Sequence, residues 1–437
     1  MNTQKSGNFQ EKMLKVAGKL SQNRELLALR DGIILALPMI IVGSFFMIIS
    51  SFPIPGWPEF LAKTSFHGTS VAAVMGKITN GSFGILGLIA AYGIGSRYAE
   101  AWNVDGKSVG VISIASFFVL TPSVLDKNGL EGMPYGYLGS KGLFIAILVG
   151  LLSGYIFHWF IDHNIQIKLP ESVPPAVAKS FSALIPGAAI ISLFGLTYGI
   201  LAWTGIGNIH DLLLHILSKP LGLLGDTLIG TIIAVFLNSA FWFIGIHGAN
   251  IVNSVISPIW LMNTDANRVL FKAGHLDLGH GGHIITQPFI DNFVFMGGGG
   301  ATLGLVLAIG ILVFTKKGSK QLDLLAPLTI TPGLFNINEP TMFGLPIVLN
   351  FTLLVPFLIT PAVNAITTYF AMKTGFVPLC TGAVVPWTMP PIISGFLATN
   401  SFSASLLQLV NIIIDILLYM PFISAVNKQQ RLQEAEG

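Results

Sequence analysis

The chain has 437 residues, of which only 10% are charged, and its mean hydropathy is +0.74. A soluble globular chain carries about 25% charged residues, and a disordered chain is far more polar. Both classes are therefore excluded, and a polytopic membrane protein remains. The net charge of +3 is too small to indicate nucleic-acid binding. The single cysteine, Cys380, excludes intramolecular disulfides and cysteine-based metal clusters.

Residues 1–30 form a polar segment, rich in lysine and arginine, in which apolar residues recur at helical spacing. These apolar positions are Met13, Leu14, Val16, Ala17 and Leu20. The pattern predicts an amphipathic helix on the cytoplasmic leaflet, and no small-residue cleavage site follows it as in a signal peptide. Because Lys428 and Arg431 follow the last apolar run, we expect both termini to be cytoplasmic.

Apolar runs suited to crossing a bilayer follow residue 32. They cover residues 33–52, 78–96, 108–125, 142–161, 181–209, 227–264, 292–315, 340–372, 374–414 and 403–423. A spanning helix needs about 20 such residues, and the longest runs have room for more than one crossing. The pattern predicts an all-α fold of about ten transmembrane helices, an even number because both termini lie inside.

Two shorter segments, 283–297 and 324–339, mix proline, amides and carboxylates into apolar sequence. Segments of this kind suit re-entrant hairpins or broken helices. Irregular backbone at membrane depth is stable only when it is buried in protein or faces water, so a substrate site is expected there. The glycine-rich segment 276–282 beside them is expected to be a flexible loop.

Up to about residue 205 the apolar runs are continuous and are joined by polar loops, whereas after about residue 220 polar residues interrupt nearly every apolar run. This difference predicts a scaffold half, residues 31–210, and a working half, residues 211–437.

Glu339 is the main candidate for function, because ionisable groups within membrane segments are costly. It stands in the sequence NINEP at 336–340, beside Asn338 and between two apolar stretches. We expect its carboxylate to be buried and, with the neighbouring amides, to bind sugar hydroxyls. The structural alternative is a surface carboxylate that caps the next helix.

His247 is the second candidate, in the sequence GIHG at 245–248 within a long uncharged run. Neutral imidazole donates one hydrogen bond and accepts another, and the flanking glycines allow close approach. Asn250 and Asn253 follow at spacing that places them near one face of a helix. A histidine bonded to a helix carbonyl is the structural alternative.

Three further residues are candidates for substrate binding. Gln287 and Asp291 are four residues apart in the first irregular segment, and Asp291 is equally suited to capping a following helix. Trp387 lies between prolines in PWTMPP at 386–391, where its indole could stack on a sugar ring. A tryptophan of the interfacial belt is the alternative.

Other motifs point away from autonomous chemistry. His280 and His283 lack further ligands for a metal and suggest a solvated gate, so no metal or cofactor is expected. The glycines at 297–300 are not followed by the Gly-Lys-Ser/Thr of a phosphate loop, and no HExxH, GxSxG or Walker motif is present. ATP-driven pumping and hydrolysis therefore have no support.

These motifs together resemble the enzyme IIC membrane subunit of bacterial phosphotransferase-system sugar permeases, most closely the lactose/cellobiose/diacetylchitobiose family. The similarity rests on NINEP at 336–340, GIHG at 245–248, TQPF at 286–289 before the glycine run 297–300, and PWTMP at 386–390. It extends over essentially the whole chain.

The resemblance implies a homodimer in the bacterial cytoplasmic membrane that is formed through the N-terminal half, with two re-entrant hairpins in a C-terminal half that carries sugar by an elevator motion. It implies that the sugar's 6-hydroxyl is phosphorylated by the phosphocysteine of a separate cytoplasmic IIB subunit, itself charged by IIA. In that scheme Glu339 and His247 hold and orient the 6-hydroxyl, and Glu339 could accept its proton. Cys380, in an apolar run, is not expected to be the phosphorylated cysteine.

Group translocation of a β-linked disaccharide is thus the leading hypothesis. The alternative is a proton-coupled secondary transporter, in which Glu339 and His247 form a proton relay. A membrane receptor without transport fits the composition but leaves the intramembrane acid and the hairpins unexplained.

Overall fold

The computed structural model describes residues 19, 22–170, 172–205, 207–345, 347 and 350–436. The amphipathic helix predicted within residues 1–30 falls largely outside these ranges. The part that is described begins helix α1, in which the side chain of Asn23 caps the helix by accepting a hydrogen bond of 2.8 Å from Leu26 N.

Helices dominate the first half of the chain. They are α1 (Arg24–Ile34), α2 (Leu37–Ser50), α3 (Trp57–Lys63), α4 (Val71–Phe83), α5 (Leu86–Ala101), α6 (Gly106–Leu120), α7 (Tyr135–Leu138), α8 (Leu143–Asp162), α9 (Pro175–Ser182) and α10 (Leu184–Thr204). Two small antiparallel hairpins, absent from the all-α prediction, lie between helices. Their strands are β1 (Ser65–Phe66), β2 (Thr69–Ser70), β3 (Val124–Leu125) and β4 (Glu131–Gly132).

The helices of the second half have longer interruptions between them. They are α11 (Ile209–Gly225), α12 (Leu228–Phe243), α13 (Gly248–Lys272), a π-helix (Phe289–Val294), α14 (Leu303–Phe314), α15 (Lys320–Leu334), α16 (Glu339–Gly344), α17 (Phe351–Lys373), α18 (Ile393–Thr399) and α19 (Phe402–Glu436).

Among the described residues, six helical segments are long and apolar enough to cross a membrane. They are Arg24–Ser50, Val71–Ala101, Ser140–Asp162, Pro175–Thr204, Thr352–Lys373 and Phe402–Ala435. Helices α6, α12 and α14 are apolar but shorter. The protein is thus a helical, multi-pass membrane protein, as the composition predicts.

Several runs expected to be continuous are broken. The run 227–264 divides at Ile244–His247 into α12 and α13. The run 292–315 leaves the π-helix after Val294 and is helical again only from Leu303. Of the two segments expected to be irregular, 283–297 contains the π-helix. The expectation is wrong for most of 324–339: residues 324–334 belong to α15, with Pro327 and Pro332 inside the helix, and only 335–338 form a turn before α16. The segment 276–282 is a loop.

Small residues bring the scaffold helices into close contact. A Cβ atom at Gly32 of α1 would collide with the backbone of Ile94 in α5, and one at Gly150 of α8 would lie 2.8 Å from the Ile94 side chain. Small residues let transmembrane helices approach closely where lipid provides no hydrophobic drive. Helices α1, α5 and α8 therefore pack as one unit around Ile94, which is fully buried.

In the second half, α13 supports the irregular segments with a polar face. The amide of Asn267 donates to the carbonyl oxygens of His283 at 2.8 Å and Cys380 at 3.0 Å, and its oxygen accepts from His283 N at 2.8 Å. Asn263 donates to the Ile285 carbonyl at 2.8 Å. These side chains replace the hydrogen bonds that a helix would give the backbone.

Polar contacts between described residues join the two halves of the chain at several points. Lys272 Nζ donates to Asn80 Oδ1 at 3.0 Å, and Tyr137 Oη donates to the Asp211 carboxylate oxygens at 3.0 and 2.9 Å. Ser140 Oγ donates to Asp265 Oδ2 at 2.5 Å, and Ser44 Oγ accepts from Val384 N at 2.9 Å. Asn400 donates to the carbonyl oxygen of Ser51 at 2.6 Å.

Candidate functional site

His247 lies in the turn that separates α12 from α13. The turn requires Gly245 at a positive φ of 82°, and a Cβ at Gly248 would collide with the carbonyl of Asn238, so α13 starts directly against α12. The ring centroid of His247 lies 4.4 Å from that of Trp242. His247 itself is exposed, because it precedes the first turn of the helix.

A cavity of about 290 Å³ opens at this turn. It lies between α1 and the start of α13, and its walls are Leu26, Leu27, Arg30, Gly245, Ile246, His247, Asn250, Ile251 and Ser254. Asn250 is thus beside His247, as the predicted helical spacing requires. Its backbone carbonyl accepts a hydrogen bond from Ser254 Oγ.

Glu339 is exposed, so the expectation of a carboxylate held in a dry interior is wrong. The reason is local: Glu339 is the first residue of α16, whose opposite face buries Thr341 and Met342. Asn338, directly before Glu339, is buried, and its amide donates to the carbonyl oxygen of Gly299 at 3.1 Å.

The glycine run at 297–300 connects the Glu339 segment with the His247 turn. A Cβ at Gly299 would lie 2.6 Å from the indole Nε1 of Trp242, so only glycine fits between Trp242 and Asn338. Trp242 in turn packs on His247, and the imidazole lies within electrostatic range of the Glu339 carboxylate. His247, Asn338 and Glu339 thus share one neighbourhood, built from three separate chain segments.

Asn336 adds the fourth segment. Its amide donates to the carbonyl oxygens of Trp387 at 2.6 Å and Met389 at 3.0 Å, while its oxygen accepts from Gly297 N at 2.6 Å. Asn336 has a positive φ of 61°, a conformation that asparagine tolerates better than most residues. The side chain of Trp387 is exposed and is fixed beside the Glu339 segment through its own backbone.

Gln287 and Asp291 form a separate pair. The Gln287 amide donates to both carboxylate oxygens of Asp291 at 3.0 Å, and Gln287 N donates to Thr264 Oγ1 at 3.0 Å. Thr264 lies about 24 Å along α13 from Gly248, at 1.5 Å per residue. The structure therefore does not bring Gln287 to His247. Asp291 lies within the π-helix and does not cap α14, which begins after Thr302.

Comparison with known proteins identifies the family. The family described as "Phosphotransferase system, EIIC" matches residues 30–361, more than half of the chain. The chain belongs to this family. It is an EIIC of the lactose/cellobiose/chitobiose group, as the sequence motifs indicated.

Three relatives of this EIIC match over almost their full length. The lichenan permease IIC component of Bacillus subtilis (strain 168) is 44% identical, over 98% of this chain and 94% of the relative. The cellobiose-specific EIIC component of Geobacillus stearothermophilus is 42% identical, over 98% and 95%. The crystal structure of ChbC, the IIC component of an N,N'-diacetylchitobiose-specific phosphotransferase system, is 40% identical with a TM-score of 0.90, over 98% and 99%.

Membership carries a coarse function with it. This EIIC is the sugar-translocating component of a phosphotransferase system, lies in the bacterial cytoplasmic membrane, and works with a sugar substrate and a IIB partner.

The histidines of the glycine-rich loop each pair with an aspartate. His280 Nδ1 contacts Asp277 Oδ2 at 2.8 Å, and His283 Nδ1 contacts Asp226 Oδ2 at 3.0 Å. The hydrogen bonds from the side chain and backbone of His280 lower the pKa of Asp277. No group of three potential metal ligands is found in the part of this EIIC that the structure describes.

Sequence reasoning missed Asp415, an acid that is fully buried in α19. Its Oδ2 accepts from Asn364 at 3.1 Å, and Tyr419, one turn later, donates to the carbonyl of Gly300 at 2.6 Å. Asp415 stands alone in the apolar run 403–423, which was the available signal. Asp415 packs against Gly304, whereas Tyr419 makes the hydrogen bond to the glycine run, and Asp415 does not line the cavity. Trp242 and Arg30 also contribute without having been singled out.

Proposed function

We propose that this EIIC binds a β-linked disaccharide of the cellobiose or diacetylchitobiose type and presents its 6-hydroxyl to a phosphocysteine on a cytoplasmic IIB subunit. The names of three relatives support this substrate class: lichenan, cellobiose and N,N'-diacetylchitobiose. Cellobiose and chitobiose share a β-linkage and differ at the 2-position, so the 6-hydroxyl end is a feature common to both.

The proposal depends most on one observation, the contact chain from His247 through Trp242 and Gly299 to Asn338. Each contact is tight enough to fix the next segment, since Gly299 admits no side chain. An imidazole, a carboxylate and an amide are thereby brought into one neighbourhood, beside a cavity that His247 and Asn250 line. Such convergent polar groups beside aromatic rings suit a sugar, which offers hydroxyls at its edge and C–H groups on its face.

Each residue has a separate role in the proposed phosphoryl transfer. The sugar 6-oxygen attacks phosphorus as the phosphorus–sulfur bond breaks, the cysteine leaves as thiolate, and the hydroxyl proton passes to Glu339. His247 and Asn250 orient the hydroxyl by hydrogen bonds, and Trp387 stacks on a pyranose face. Positioning of this kind supplies much of the catalysis in phosphoryl transfer.

Gln287 and Asp291 are proposed as a second set of substrate contacts. The Gln287 side-chain oxygen is buried without a hydrogen-bond partner in the described part of the chain. Since its amide is already engaged by Asp291, the free oxygen is suited to accept from a sugar hydroxyl.

Replacing Glu339 by glutamine tests the proposed substrate contacts around Glu339 and His247. We expect Glu339→Gln to reduce phosphorylation of cellobiose by IIB about 100-fold or more, because the proton acceptor is lost. Glu100→Gln, at an exposed carboxylate paired with Arg97 on the scaffold, is the matched control. Unchanged binding and phosphorylation in Glu339→Gln would remove Glu339 from the site.

Uptake into membrane vesicles distinguishes this function from proton-coupled transport. Accumulation is expected to depend on phosphoenolpyruvate with IIA and IIB, and to yield phosphorylated sugar. Accumulation that follows a proton gradient and ignores those proteins would contradict group translocation and favour a His247–Glu339 proton relay.

A panel of disaccharides in a thermal-shift assay identifies the substrate, since ligand at 100 times its Kd stabilises the protein by about 2.7 kcal/mol.

We further propose about ten transmembrane helices with two re-entrant hairpins, both termini cytoplasmic, a scaffold half at 31–210 that forms a homodimer, and a sugar-carrying half at 211–437 that moves as an elevator. The cysteine pair Ser140→Cys and Asp265→Cys, in a Cys380→Ala background, tests this motion. Oxidation of the double-cysteine variant should stop transport, and reduction should restore it. Oxidation of either single-cysteine variant should leave transport unchanged.

A further inference from the structure

The cavity at the His247 turn includes one cation from the scaffold. Arg30 of α1 lies opposite His247, Asn250 and Ser254 of the second half, while the remaining lining is apolar or glycine. The imidazole of His247 lies within electrostatic range of both Arg30 and Glu339. A cation therefore lies beside the group that we propose to orient the reacting hydroxyl, together with the carboxylates of Asp31 and Glu339.

The guanidinium of Arg30 is only partly engaged. Its Nε donates to Asp31 Oδ1 at 2.6 Å, and its two terminal nitrogens make no hydrogen bond to any residue in the described ranges. The Arg30 side chain is 23% exposed, so most of its surface is shielded from solvent. Asp31 offsets part of the charge while leaving the outer edge of the fork free.

A neutral sugar does not require such a cation, but a phosphoryl group does. Guanidinium binds phosphate oxygens through two parallel N–H donors, and a positive group beside the transferring phosphoryl stabilises its transition state. We propose that Arg30 binds the phosphoryl group, first on the incoming phosphocysteine and then on the sugar 6-phosphate. This inference rests on the proposed function and extends it.

The position of Arg30 along its helix agrees with this role. Arg30 lies about 9 Å along the axis from Arg24, the first residue of α1. With the N-terminus on the cytoplasmic side, as proposed, this is the side from which IIB approaches. Arg30 would thus meet the phosphoryl group as it enters the cavity that holds His247.

The test compares two ligands that differ only in the phosphoryl group. Purified protein with Arg30→Gln or Arg30→Lys is titrated with cellobiose and with cellobiose 6-phosphate, and the rate of transfer from phosphorylated IIB is measured. Arg97→Gln is the matched control, because Arg97 pairs with Glu100 at an exposed helix end.

For Arg30→Gln we expect cellobiose affinity within about twofold of wild type, phosphosugar affinity at least about tenfold weaker, and transfer about 100-fold slower, since the anion loses its charged donor. Arg30→Lys should recover part of the phosphosugar affinity because it keeps the charge, and it also shows whether the site still folds.

Equal losses for both ligands would make Arg30 a sugar contact or a structural residue and overturn the proposal. So would values for Arg30→Gln that match those for Arg97→Gln. Failure of the wild-type protein to bind cellobiose or to accept phosphoryl from IIB would instead overturn the proposed function, so the two failures are distinguishable.

Discussion

The scaffold helices and the polar support on α13 satisfy the same membrane constraint in different ways. Around Ile94, helices α1, α5 and α8 keep their backbone bonds internal and approach through glycines. Around Asn267, backbone that is not helical obtains its hydrogen bonds from side-chain amides. Close packing builds a rigid wall, whereas amide support permits broken helices, which can present backbone and polar side chains to a substrate.

The largest expected effect comes from removing the amide at position 267. Asn267→Leu leaves three backbone groups without these partners, two part-buried at His283 and one buried at Cys380, and an unpaired buried group costs about 1–3 kcal/mol. We expect a loss of about 3–5 kcal/mol in the free energy of unfolding, measured by thermal or denaturant unfolding in detergent. Asn253→Leu on the same helix is the control, because its side chain makes no hydrogen bond within the described residues. Equal losses in both variants would show that α13 does not support these segments.

Overpacking the scaffold should have the next largest effect. Gly32→Ala places a methyl group against the backbone of Ile94, which cannot move as a side-chain tip would. We expect a loss of about 1–3 kcal/mol in stability, measured in the same way. The control, Gly195→Ala in α10, meets no atom within 4 Å and should be neutral or slightly stabilising. A neutral Gly32→Ala would mean that α1 and α5 do not depend on close contact.

Replacing Asn336 by alanine tests whether side-chain amides also position the segments of the candidate site. Asn336→Ala removes the hydrogen bonds to Gly297 N and to the carbonyls of Trp387 and Met389. We expect cellobiose affinity to fall about tenfold or more, because Trp387 is no longer held beside Glu339. Calorimetric titration measures this effect. Retained affinity would show that these segments are positioned without the Asn336 amide.

The smallest expected effect lies in the mostly exposed loop 276–282. Hydrogen bonds from His280 lower the pKa of Asp277, so the ionised carboxylate stabilises the folded loop above pH 3.8. That stabilisation should fade as pH falls below the usual aspartate value, when the carboxylate takes up a proton. Asp277→Asn should remove this pH dependence from the protection factors of the loop amides, which correct for the intrinsic pH dependence of exchange, without changing transport. A pH dependence that persists in Asp277→Asn would assign it to another group.

Much of the site could be predicted because its residues violate the surrounding pattern. Glu339, His247 and Trp387 stand at breaks in apolar runs, and such exceptions are visible in a single sequence. The burial of Glu339 was predicted wrongly, because apolar neighbours in sequence do not show which side of a short helix is covered. Asp415 was missed because one acid in a long apolar helix looks the same whether it faces the interior or not.

The grouping of the site residues could not be obtained from spacing. Gln287 and His247 are 40 residues apart in numbering and lie near opposite ends of α13, while Glu339 and His247, 92 apart, are neighbours through Gly299. Arg30 is farther still in sequence from the turn that it faces.

By itself the sequence determined that this chain enters a membrane as helices, where those helices are interrupted, and which polar groups stand at the interruptions. Hydrophobicity and helix period are local properties, so they can be recovered from neighbouring residues. Only the tertiary structure decided which interruptions meet, because that depends on close contacts such as Gly299 between Trp242 and Asn338, and on amides that bond distant backbone. It likewise placed Arg30 of the scaffold in the same cavity as His247.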